Sequence, residues 1–143
     1  MGKPILVLDF DGVCSNYSSG WQGIDNIPDP PVEGLFEFLY KAREHFDIQI
    51  YSSRSHQEGG IEAMMEWFIV HSPISCFTYS PNNTLNFWKQ SSVDGSRTDL
   101  ILSLGFPTEK PPAMVTLDDR ALTFTGVWPD IDSLRNFKPW NKQ

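Results

Sequence analysis

The chain lacks most of the features that announce a specialised class of protein. It has two cysteines, Cys14 and Cys76, which form neither a disulfide framework nor a metal-binding spacing. A reduced, cytoplasmic setting is the default they leave. No apolar run approaches the roughly 18 residues a membrane-spanning helix needs. Met1-Gly2-Lys3 leads straight into a short apolar stretch, so no secretory leader is expected. Leu6 stands where the myristoylation pattern asks for Ser or Thr. Positive charge is scarce: 11 Lys and Arg face 18 Asp and Glu, a formal net charge of −7. A field of that sign repels polyanionic backbones and argues against long nucleic acid as a partner. A small phosphorylated substrate stays admissible, because a bound divalent cation reverses the local field. There are no internal repeats and no low-complexity segments.

What is present suits one domain. The 143 residues are 40% hydrophobic and 13% aromatic, enough for a packed core and too few for a second domain. The most informative stretch is Pro4-Ile5-Leu6-Val7-Leu8-Asp9-Phe10-Asp11-Gly12-Val13. Its apolar residues have no polar face, as in a strand buried on both sides. Asp9 and Asp11 then fall at the carboxyl end, the rim where open α/β sheets bind ligands.

Along the chain, residues 14–30 read as a Gly/Ser/Asn-rich flap. Asp29-Pro30-Pro31 should start a helix over Val32–His45, with Leu35, Leu39, Ala42 and Phe46 buried and Phe36 and Tyr40 widening the stripe. Glu37 and Lys41 sit one turn apart in the favourable order. Asp47–Tyr51 is a second strand, running into Ser52-Ser53-Arg54, so strand, helix and strand imply a parallel pair. A helix over Ile61–Val70 should bury Ile61, Met64, Met65 and Phe68. Residues 74–79 and 100–106 are candidate strands flanking a second small flap, about 80–99. Ala113–Leu117 is a further strand without a polar face and ends in Asp118-Asp119-Arg120. Residues 121–126 suggest an edge strand, and Pro129–Phe137 a last helix.

Parallel strands bring Asp9/Asp11, Ser52/Ser53/Arg54 and Asp118/Asp119 to one edge. Carboxylates gathered there repel one another, and Mg²⁺, hard and oxygen-seeking, relieves the repulsion. A phosphate meeting that metal needs neutral donors and a cation, which Ser52 and Lys110 can supply.

Asp9-Phe10-Asp11-Gly12-Val13 resembles motif I of the haloacid dehalogenase (HAD) superfamily. Ser52 resembles its motif II, Lys110 motif III, and Asp118-Asp119 the two-aspartate form of motif IV. The ordered match covers residues 4–126, and the run from Lys110 to Ala121 resembles small, nearly capless members of bacteria and phages. The resemblance implies a Rossmann-like three-layer α/β/α sandwich with a mostly parallel central sheet, a minimal cap and a single domain over residues 1–143. It implies a Mg²⁺-dependent phosphomonoester hydrolase in which Asp9 becomes an aspartyl-phosphate and Asp11 is general acid and base. Asp9, the Asp11 carbonyl and Asp118 or Asp119 would hold the metal. Ser52, Lys110 and Gly12 would contact the phosphate. Asp11 favours phosphatase over dehalogenase chemistry.

Ser53 and Arg54 are candidates to face the substrate, while Arg120 is expected to pair with a neighbouring acid. His56 is the histidine nearest the site. Trp21 and Trp88 either stack on a base or sugar or cap the core. Two alternatives stay open: a nucleotidase or polynucleotide-end phosphatase, and a non-catalytic metal- and phosphate-binding regulatory module.

Overall fold

Ile5–Leu8 form β1, the middle strand of a three-stranded parallel sheet in the order β2-β1-β3; the computed structural model describes residues 2–72 and 101–142. β2 is Asp47–Ile50 and β3 is Val115–Leu117. Leu6 pairs with Ile48 on one side and Val115 on the other, so all three strands deliver their carboxyl ends to one edge. With a neighbour on each side and the core around it, β1 buries Leu6, Val7 and Leu8 almost completely. That burial is what its unbroken apolar run requires. β2 alternates instead, with Ile48 and Ile50 inward and Asp47 exposed. β3 departs from its expected character. Its three residues are exposed, because it forms the edge of the described sheet.

Helix α1 spans Leu35–Ala42, three residues later at its start than the proline pair suggests. The chain around Pro30-Pro31 is otherwise engaged: Asn16 N–H donates to the Pro30 carbonyl at 3.0 Å and Val32 N–H to Cys14 at 2.8 Å. Those bonds hold residues 30–32 extended against the loop, and Gly34, at φ 87°, makes the turn into the helix. Leu35, Leu39 and Ala42 are buried as expected and Phe36 packs partly, but Tyr40 lies out in solvent. Lys41 and Glu37 form the anticipated pair at 3.0 Å.

Helix α2 spans Gly60–His71 and buries Met64 and Phe68. Met65 is exposed and Trp67 takes the inward place, its ring edge-on to Phe10 at 4.9 Å and its Nε1 donating to the Asp29 carbonyl at 3.0 Å. The expected strand over 100–106 reduces, within the described residues, to a helical turn at Ile101-Leu102 and one bridge from Gly105 to Gln49 of β2. Residues 121–126 carry no strand. Helix α3 is Ile131–Arg135, with the Asp130 carboxylate accepting from Ser133 N–H at 3.2 Å. A 3-10 turn at Trp140–Lys142, which the sequence did not suggest, follows it. The expected strand over 74–79, the flap over 80–99, Cys76 and Trp88 lie outside the described residues. No helix among the described residues is long and apolar enough to cross a membrane. The arrangement is α/β, with a parallel sheet.

Candidate active site

The register of β1 and β3 builds the site. Asp9 N–H donates to the Leu117 carbonyl at 3.0 Å, so Asp9 is fastened beside the residue that precedes Asp118-Asp119. Beyond Asp9 the chain turns tightly, with Cys14 and Ser15 N–H both donating to the Phe10 carbonyl. Gly12 makes that turn at φ 89°, and a Cβ there would collide with the Asp119 carboxylate. Trp140 Nε1 supports the turn from outside, donating to the Gly12 carbonyl at 2.7 Å.

Asp9, Asp118 and Asp119 each offer a carboxylate oxygen within 4.8 Å of the others. The Asp119 side chain is only 2% exposed, yet among the described residues neither of its oxygens finds a hydrogen-bond donor. Arg120 Nε stands 3.9 Å from it. Burial, then the charge of Asp118, push Asp9 up to about 8, and burial also raises Asp119. A buried carboxylate with both oxygens unpartnered, beside two more acids, is the donor set a hard divalent cation fits. The same surroundings make Cys14 unreactive, since burial, followed by Asp9 and Asp11, drives its thiol far upward.

Asp11 stands apart from that cluster. Its Oδ2 accepts from Arg54 Nε at 2.9 Å and its Oδ1 from Arg54 Nη2 at 3.1 Å. Arg54 is 1% exposed, and its Nη1 donates to the Gly23 and Ile24 carbonyls, both at 2.9 Å. The Trp21 ring lies on the guanidinium at 4.4 Å, which leaves Trp21 half-exposed at the site rather than capping the core. Arg54, a candidate to face the substrate, is committed to Asp11 and the loop.

Asp9, Asp11 and Asp119 line a cavity of about 210 Å³ together with Tyr17, Trp21, Ser53 and Arg120. Ser52 is not among them. It is buried, and its Oγ accepts from Arg54 N–H at 2.9 Å as the cap of the 3-10 turn Ser53–His56. Lys110 is not brought to the site either. Met114 N–H donates to the Ile5 carbonyl at the start of β1, so the chain before β3 emerges at the opposite edge of the sheet. Lys110 is exposed and does not line the cavity. Arg120 lines the cavity in its place, with its N–H on Asp118 Oδ1 at 2.8 Å. His56 is exposed and bonded to the Tyr51 hydroxyl at 2.7 Å. Tyr17 escaped the sequence reading, and nothing in its spacing marks it; its φ of 58° places it in the left-handed region. A hollow of about 890 Å³ against Phe124 and Trp128 has no titratable side chain in its lining.

No protein-family model, curated protein or solved structure matches the chain.

Proposed function

We propose that the protein is a Mg²⁺-dependent phosphomonoester hydrolase of the HAD type, its sheet the centre of a Rossmann-like α/β/α sandwich. The observation that carries the reading is the separation of two neighbouring acids. Asp9 faces Asp118 and Asp119, whereas Asp11 faces Arg54. Two carboxylates in different surroundings suit two different roles.

Asp9 would attack phosphorus as its carboxylate while the bond to the leaving oxygen breaks and Asp11 delivers a proton to that oxygen. Water would then attack the aspartyl-phosphate, its proton passing to Asp11, and phosphate would depart with Asp9 restored. Asp9, Asp118 and Asp119 would hold Mg²⁺, which when bound would supply the positive charge that keeps Asp9 ionised and balances the phosphoryl oxygens. Because burial raises Asp9 to about 8, the nucleophile is largely protonated at neutral pH without a cation. Ser53 and Arg120, both in the cavity lining, are placed to bind the phosphoryl group. Tyr17 and Trp21 at the same cavity favour a leaving group with a flat ring, which keeps nucleotides among the substrates.

The test is hydrolysis of p-nitrophenyl phosphate and a nucleotide panel, with and without Mg²⁺. Wild type should turn over only with the metal, and Asp9→Asn should abolish turnover. Phosphate and Mg²⁺ binding without turnover on any ester would sink the hydrolase reading and leave a non-catalytic binding module.

A further inference from the structure

The most heavily committed side chain near the cavity is Arg54, and its commitments converge on one partner. We propose that Arg54 is the positioning residue for proton transfer, holding the Asp11 carboxyl at the cavity without itself contacting substrate. This rests on the phosphatase reading above.

A guanidinium carries five N–H donors. Four hydrogen bonds leave Arg54: two to the oxygens of Asp11 and two to the Gly23 and Ile24 carbonyls. An arginine waiting for a phosphate keeps donors directed at open space, whereas this one is 1% exposed and absent from the cavity lining. Trp21 lies over its guanidinium at 4.4 Å, and the Phe10 ring is 5.9 Å away. Its backbone is equally constrained. The N–H donates to Ser52 Oγ, and a Cβ on Gly60 of α2 would collide with the Arg54 carbonyl.

The consequence falls on Asp11. Two parallel N–H···O bonds fix both the place and the plane of a carboxylate, which a single lysine bond cannot do. A carboxylate offers about four acceptor positions, so two remain for the proton it exchanges with the leaving group and with water. By also gripping Gly23 and Ile24, Arg54 ties the loop after Asp11 to the end of β2. Asp11, on a turn beyond its strand, thereby gains rigid support from a second strand.

The test exploits the chemistry of the leaving group. An alkoxide needs a proton as it departs, and p-nitrophenolate scarcely does, so misplacing Asp11 must harm alkyl esters more. The measurement is kcat/KM for glycerol 2-phosphate and for p-nitrophenyl phosphate with Mg²⁺, in wild type, Arg54→Lys, Arg54→Met and Asp11→Asn. In Arg54→Lys and Arg54→Met the p-nitrophenyl to alkyl ratio should rise about tenfold or more, toward the value for Asp11→Asn. Arg54→Lys added to Asp11→Asn should raise it no further. Both substrates are read on one preparation, so the ratio is independent of the fraction folded. An equal fall for both esters in the Arg54 variants would overturn the proposal, since a structural or phosphate-binding role acts on both alike. If wild type is active and Asp11→Asn discriminates between the esters, the phosphatase reading stands whatever Arg54 does. If wild type hydrolyses neither these two esters nor any member of the nucleotide panel, the phosphatase reading fails and this proposal falls with it.

Discussion

The backbone of Gly12 lies so close to the Asp119 carboxylate that no side chain fits between them. A turn in the first third of the chain is thus shaped around an acid close to its end. Gly12→Ala would meet both that collision and a φ of 89°, which L-residues seldom adopt. The substitution should cost about 1–3 kcal/mol of stability, measured by urea unfolding. It should also weaken Mg²⁺ binding measured by calorimetry, because Asp119 must move.

The contribution of Asp9 to the stability of the metal-free protein should fall as pH rises. Below Asp9's ordinary value of 3.8 the carboxyl is protonated whether the chain is folded or not. Between 3.8 and about 8 the unfolded chain ionises it while the folded protein retains the proton, so stability drops through that window and levels above it. Mg²⁺ should therefore raise Tm more at pH 8 than at pH 5. Asp119→Asn removes one of the crowded charges. Metal-free, it should melt higher than wild type at pH 8, and it should lose most of the Mg²⁺ response. Equal Mg²⁺ shifts in wild type and variant would remove Asp119 from the metal set.

Arg120 and Lys110 should separate cleanly. Arg120 lines the cavity and Lys110 does not, so Arg120→Ala should lower kcat/KM for phosphate esters by about tenfold or more. Lys110→Ala should change it less than about twofold. A large loss from Lys110→Ala with little from Arg120→Ala would show that the phosphoryl group is held from the other side.

The three strands of the described sheet and the acids that follow β1 were legible because apolar burial there is local. Ile5 to Leu8 have no polar face, and Asp9 and Asp11 follow at once. Parallel pairing then required Asp118 and Asp119 to lie beside Asp9. Helix margins were less legible. Pro30-Pro31 signals a helix start, but the backbone of Pro30 and Val32 bonds instead to Asn16 and Cys14, which no local pattern reveals. Met65 and Trp67 exchanged places because Trp67 finds both the Phe10 ring and the Asp29 carbonyl.

The amino-acid sequence by itself indicated a parallel α/β core with carboxylates at one edge, since apolar strand runs are local and a helix between consecutive strands implies a parallel pair. Tertiary structure decided how those carboxylates are divided. It set Asp9 among acids and Asp11 on Arg54, 43 positions away, and withdrew Ser52 into a cap. It also left Lys110 exposed and outside the cavity, because spacing before a strand does not say which residues of the preceding loop reach its carboxyl edge. A charged side chain takes its role from what it meets across the fold, and that meeting depends on register and burial.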